Sequence, residues 1–259
     1  MKTVLFLRKR ASSEDNYEKL FKNKGFNTLF IPILTCSYIN QKCLRNILEK
    51  SPYIMYSGLI FTSRNAIVSF KESLIGIDKQ EYEKISNMRV YTVGSACYKE
   101  LISLGFSNIY GKESGNAENL SKFIISYHKK EEPILFITGE RRIGILEKKL
   151  PLSGINLKEI VVYKMEERIE FEKEFNKVIY DEELNLEWIV FFSPYGSDIV
   201  MKYVKNEDLL KFKIATIGST TWRHLNDKWN IKTSVVSEYP EAGSLLEGIL
   251  DYEKEKNEY

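Results

Sequence analysis

The sequence is poor in the residues that build metal and redox sites. Its 259 residues include three cysteines (Cys36, Cys43, Cys97) and two histidines (His128, His224). No CxxC, HExxH or Cys/His cluster occurs, so neither a zinc site nor a disulfide framework is expected. No metal site is expected. An odd, sparse cysteine count fits a reducing compartment. An excess of one charge is also missing. Lysine and arginine number 38 against 36 acidic residues, a net charge of +2. That argues against a nucleic-acid partner held by bulk charge. Any anionic ligand must be held by local geometry instead of a general field. Long apolar runs are absent too. Val4 to Leu7 is a short run before Arg8-Lys9-Arg10. It is too short for a signal-peptide core and reads as a first strand. No run approaches the length of a membrane span. A soluble, cytoplasmic, monomeric protein with no membrane partner is expected. The glycine fingerprints GxGxxG, GxxxxGK[ST] and GxSxG are missing, so a nucleotide-dependent transferase and a nucleophile elbow both lose their usual signal.

What is present is an alternation. Short apolar runs at Val4–Leu7, Thr28–Ile31, Leu59–Phe61, Arg89–Val93, Ile134–Ile137, Trp188–Phe192 and Ile214–Ile217 are separated by amphipathic, helix-length stretches. Ser12 to Asp15 opens the first of these stretches, which carries Tyr17, Leu20 and Phe21 and stops at Gly25. Continuously apolar strands between helices indicate a parallel sheet covered on both faces, so the fold class is α/β. The acidic stretch 164–187 reads as a surface helix carrying Phe171, Phe175, Val178 and Ile179. Asp251 to Tyr259 reads as the frayed end of a charged helix.

The two halves resemble each other. Val4–Leu7 pairs with Ile134–Ile137, Phe30-Ile31 with Val161-Val162, and Ile60–Ser63 with Phe191–Ser193. Val93-Gly94-Ser95 pairs with Ile217-Gly218-Ser219, and Ala117/Leu120 with Ala242/Leu245. The order of the blocks favours a duplication over generic strand-turn-helix likeness. A duplicated α/β unit offers a cleft between two lobes, a common place for a small-molecule site.

The informative residues stand where strands end and helices begin. There the unpaired N–H groups and the helix dipole suit a carboxylate or phosphate. Candidates are Ser63 and Arg64 after Phe61; Gly94 and Ser95 after Val93; Gly139 and Arg142; Ser193 and Gly196 after Phe192; and Ser219, Thr220 and Thr221 after Ile217. Each single Ser or Thr also reads as an ordinary helix cap. Collectively they lie at strand carboxyl ends, where open α/β sheets place ligands. A Ser-His-Asp triad would have to use His128 or His224, and both read as packed or solvated helical side chains. Tyr163 closes the apolar run Ile160–Val162 and reads first as an amphipathic residue at a strand edge.

With these blocks in place, the chain resembles the uroporphyrinogen-III synthase family. The likeness rests on Leu5-Phe6-Leu7-Arg8, Leu59–Ser63, Val93–Ala96, Gly105-Phe106, Gly115–Leu120, Gly139 with Arg142, Val161-Val162-Tyr163, Phe191–Pro194 and Ile217–Thr221. The resemblance implies two similar lobes, each a parallel sheet flanked by helices, joined by a two-stranded linker. Residues 1–34 and 166–259 would form lobe one and 38–162 lobe two, with linkers near 35–37 and 163–165. Periodicity alone would equally allow a cut near residue 130. The resemblance also implies a cofactor-free, cyclising hydro-lyase. Hydroxymethylbilane, a linear tetrapyrrole with eight carboxylates, would lose its hydroxyl and close with inversion of ring D. Tyr163 corresponds to the family's cleft tyrosine. A phenol, with an ordinary pKa of about 10, is protonated at neutral pH and can donate to a departing hydroxyl. The chain departs from the family pattern at Cys97, Tyr195 and Ser219. Thr221 is then the better polar contact, and Tyr195 would reshape the cleft wall. A non-enzymatic two-lobed protein binding a small anion is the alternative reading of the same features.

Overall fold

The computed structural model describes residues 1–11, 13–129 and 132–257. Ser12, expected in the opening of the first helix, and the last two residues of the charged tail lie outside the described residues. In chain order the strands are β1 Thr3–Phe6, β2 Asn27–Phe30, β3 Leu34–Tyr38, β4 Gly58–Phe61, β5 Val90–Thr92 and β6 Ile109–Tyr110. They continue with β7 Ile134–Gly139, β8 Leu157–Glu167, β9 Leu186–Phe191, β10 Lys213–Ile217 and β11 Val235–Ser237. The chain divides into two compact units, Met1–Thr35 with Glu167–Tyr259, and Cys36–Glu166.

The first unit is built on a five-stranded sheet ordered β11-β10-β9-β1-β2, with all four neighbouring pairs parallel. Residues of β1 alternate between its faces. Leu5 joins one core with Phe171, Phe175 and Ile189, while Val4 and Phe6 join another with Phe21, Trp188 and Leu245. Burial on both faces is why the strand reads as an unbroken apolar run. The helix Phe171–Ile179 buries Phe171, Phe175 and Ile179, one stripe at four-residue spacing.

The second unit carries a six-stranded sheet ordered β3-β8-β7-β4-β5-β6. From β8 to β6 all neighbours are parallel. The same alternation sends Leu59 and Phe61 to one core and Ile60 to another. Substituting β1, β2, β9, β10 and β11 by β7, β8, β4, β5 and β6 turns the first strand order into the β8-to-β6 part of the second, with β3 added at its edge. Four of these five pairs (β1/β7, β2/β8, β9/β4 and β10/β5) carry the repeated sequence blocks, so the repeat is carried in the topology as well.

Two local expectations change. Tyr163 does not stand at a strand end: β8 runs on to Glu167. The charged residues 164–167 stay extended because β8 lies beside β3 in the sheet order, and the bonds from Arg168 N–H to the Ile33 carbonyl and from Ile39 N–H to the Val162 carbonyl run antiparallel beside it. His128 is not inside a helix. It stands one residue past Ala117–Tyr127 and is buried.

Candidate active site

The site of the second unit is assembled around Tyr163. Strand β8 is bulged against β7: Thr138 faces Val161, but Gly139 faces Tyr163. The extra residue, Val162, turns into the core with no exposure. The bulge sets Tyr163 opposite Gly139, and the Glu140 N–H donates to the Tyr163 carbonyl at 3.0 Å. The ring then lies over Gly139. Its hydroxyl donates to Ser63 Oγ at 2.8 Å, and the same Oγ accepts the Asn65 N–H at 3.1 Å. Ser63 is the N-cap of the helix Arg64–Leu74. The phenol is therefore tied to the positive end of a helix, 100 residues away in sequence. With two donors already on Ser63 Oγ, that oxygen has its own proton left to offer.

The helix ends differ in a way the sequence did not distinguish. Ser63 and Ser193 cap their own helices, Ser193 by accepting the Gly196 N–H at 3.1 Å. The helices Gly94–Ser103 and Ser219–Trp229 have no side-chain cap. Each opens on a glycine with positive φ, +76° at Gly94 and +77° at Gly218. A Cβ at either would meet nothing within 4 Å, so the glycine is required by backbone conformation and not by space. These two ends, one in each unit and at matching places in the repeat, leave first-turn amides for an anion.

The remaining expected residues are placed as follows. Arg64, Ser95, Ser219 and Thr220 are exposed. The Arg64 guanidinium lies 3.1 Å from Glu100. Gly139, Gly196 and Thr221 are buried. Gly196 is packed so that a Cβ would meet Ile33 Cδ1 and Ser193 Oγ at 3.0 Å. These three expected contacts therefore sit in the packing and do not face solvent. Residues 139–142 do not open a helix: β7 ends at Gly139 and the next helix is Ile145–Leu152. Arg142 is ion-paired with both Glu147 and Glu159, and donates to the Gly139 carbonyl at 3.0 Å. Its charge is matched by one carboxylate of the helix Ile145–Leu152 and one of β8. Cys97 is buried, and burial pushes its thiol pKa up, which makes it a poor nucleophile. Tyr195 is half-buried against the core that contains Phe171 and Ile199.

Neither histidine forms a triad. His128 Nε2 lies 3.1 Å from Ser57 Oγ, but that hydroxyl donates to the Glu132 carbonyl at 2.7 Å, and the other ring nitrogen meets the Tyr91 hydroxyl at 2.9 Å. His224 donates to Asp198 Oδ1 at 2.6 Å, beside Lys228 at 2.8 Å and Trp229 Nε1 at 2.9 Å. Burial raises the Asp198 carboxyl pKa, but the hydrogen bonds from Lys228, His224 and Trp229 outweigh it and pull the group to about 2. A depressed carboxylate stabilises the fold above its ordinary pKa of 3.8, and that increment is lost as pH falls toward about 2. Asp198→Asn is expected to cost about 1–2 kcal/mol at neutral pH. The variant should also lose less stability than the parent between pH 4 and pH 2. Urea titrations followed by tryptophan emission measure both, and identical acid slopes would remove Asp198 from the acid response.

Sequence reading missed Asp15 and the Tyr163–Ser63 bond. Asp15 is buried, accepts from the Ala11 and Tyr17 amides at 2.7 and 3.0 Å, and pairs with Arg8 at 2.9 Å. Arg8 in turn lies over the Tyr17 and Phe192 rings. The only signal was an acidic residue at a helix start. Among the described residues, no group of three or more His, Cys, Asp or Glu side chains is placed to hold a metal ion. No helix among them is long and apolar enough to cross a membrane.

Comparison with known proteins adds the following. The family model described as uroporphyrinogen-III synthase HemD matches residues 15–247. The chain is 32% identical to uroporphyrinogen-III synthase of Saccharomyces cerevisiae, over 98% of this chain and 97% of that one. It is 31% identical to the Schizosaccharomyces pombe protein of the same name, over 99% of this chain and all of that one. Among solved structures, the Helicobacter pylori uroporphyrinogen-III synthetase superposes with a TM-score of 0.65 at 18% identity, covering 97% of this chain and 99% of that one.

Proposed function

The chain belongs to the uroporphyrinogen-III synthase family, and from that premise we propose that it cyclises hydroxymethylbilane to uroporphyrinogen III. In this reading Tyr163 gives its proton to the departing hydroxyl. The C–O bond breaks, water leaves, and the resulting azafulvene cation closes on ring D with inversion; the pyrrole proton released on closure restores the phenol. Cleavage of a C–O bond without hydrolysis makes the enzyme a lyase. The observation that supports Tyr163 in this role is its hydroxyl, already polarised as a donor toward Ser63 at 2.8 Å. We further propose that the substrate's carboxylates are met by the uncapped amides at Gly94-Ser95 and Gly218-Ser219-Thr220, with hydroxyls of Ser63 and Ser193 and the Arg64 guanidinium adding contacts. A nearly neutral protein can grip a polyanion in this way, because backbone dipoles need no net charge. The three cysteines, all free, fit a reducing compartment. The proposed setting is the cytoplasm, with the chain acting as a monomer.

The test is an isomer-resolved assay. Hydroxymethylbilane incubated with the protein should give the type III product faster than the spontaneous type I product. Type I alone would overturn the reading, and tight binding of the bilane without conversion would favour a binding protein.

A further inference from the structure

Every residue of β7 before Gly139 carries a side chain, and Gly139 does not. Its φ lies outside the left-handed region, so its backbone does not call for glycine. Space does. An ideal Cβ at 139 would lie 2.7 Å from the Tyr163 phenol oxygen and 2.8 Å from its Cε1, and closer still to Cζ. The three nearest heavy atoms all belong to that one ring. The obstacle is the oxygen-bearing edge of a ring that is itself pinned. The bulge fixes its Cα opposite Gly139, and Ser63 holds its hydroxyl at 2.8 Å. A methyl group at 139 can be accommodated only by lifting the phenol off that seat.

We propose that Gly139 is a positioning residue for the Tyr163 phenol: its missing side chain is the floor that lets the hydroxyl reach Ser63 and the reacting atoms. This rests on the reading of Tyr163 as proton donor, and it assigns Gly139 a role other than direct contact with substrate. General acid catalysis tolerates little displacement, because proton transfer needs hydrogen-bond geometry.

The experiment compares Gly139→Ala in two backgrounds, the natural chain and Tyr163→Ala, using hydroxymethylbilane with isomer-resolved product analysis. In the natural background kcat should fall about tenfold or more while KM changes little. In the Tyr163→Ala background, where no ring opposes the methyl group, adding Gly139→Ala should change kcat less than about twofold. An equal loss in both backgrounds, or a rise in KM at constant kcat, would show that Gly139 meets the substrate itself and would overturn the proposal. Full activity of Gly139→Ala would do the same. If Gly139→Ala does not fold, the double variant still should, since it lacks the clash; failure of both overturns the proposal. A readout independent of activity separates this idea from the functional reading. In protein labelled with 13Cε-tyrosine, the Tyr163 resonance, identified by its loss in Tyr163→Phe, should move in Gly139→Ala. A moved resonance in a chain that makes no type III product would sink the functional reading alone. An unmoved one in an active chain would sink the positioning role alone.

Discussion

Tyr163→Phe is expected to lower kcat about 10²–10⁴-fold, the range a positioned general acid supplies, with little change in KM. The substitution removes one oxygen and keeps the ring. The ring still covers Gly139 and still packs against the core that holds Val162 and Ile160. Ser63 keeps its bond from the Asn65 amide, so the helix Arg64–Leu74 keeps its cap. Stability should therefore stay close to that of the parent, and the loss should fall on the chemical step. Spontaneous departure of the substrate hydroxyl continues at its own rate, so the residual product should shift toward the type I isomer. Single-turnover assays with isomer separation measure both effects. Unchanged kcat in a folded variant would take Tyr163 out of the mechanism and leave Ser63, with its unspent proton, as the donor next to be tested.

The sheets were legible in the sequence because their central strands are buried on both faces. Val4–Phe6, Leu59–Phe61, Ile134–Ile137 and Ile189–Phe191 have no side that must be polar, and each is fully or almost fully buried. The repeat was legible for the same reason, since each of these strands has a partner at the matching place in the other strand order. The part of β8 past Val162 was not legible. Tyr163 to Glu167 are half-buried and mostly charged or polar, and what keeps them extended is pairing with a strand more than a hundred residues earlier. Local composition cannot report a partner that distant. The site divides along the same line. Serines and glycines at strand ends could be listed from spacing, but spacing could not separate Ser63, which caps its helix, from Gly94 and Gly218, which leave theirs open. Nor could it show that Gly139 lies beneath Tyr163, because that depends on a one-residue bulge between two strands.

The largest stability effect is expected in the other unit, at Glu253 on the helix Ala242–Asn257. The residue is buried at 8% exposure; its carboxylate is ion-paired with Lys2 and Lys213 and accepts the N–H of the fully buried Trp188 at 2.9 Å. Burial raises its pKa, but the bonds from Lys2, Lys213 and Trp188 outweigh that and hold it below the ordinary carboxylate range. Glu253→Leu removes the charge and the acceptor together. Lys2 and Lys213 retain Glu187, at 3.2 and 3.0 Å, and the Lys2 side chain is partly exposed, which limits the electrostatic loss. The indole N–H has no such substitute, and leaving a buried donor unpaired costs about 1–3 kcal/mol. With the broken ion pairs the total should be about 3 kcal/mol. Glu253→Gln keeps an oxygen for Trp188 and should recover about 1 kcal/mol of that. The expected order of stability is therefore Glu, Gln, Leu. All three tryptophans, Trp188, Trp222 and Trp229, belong to the unit that contains Glu253, so the midpoint of tryptophan emission in urea reports on that unit directly. Well-packed apolar replacements can sometimes match a buried ion pair. Parent-like stability of the leucine variant would therefore mean that Trp188 finds another acceptor and that the network adds nothing. The acid side gives an independent check. The lowered carboxyl contributes stability above the usual carboxylate pKa and loses it as pH falls through its own, so the gap between parent and glutamine variant should close on acidification.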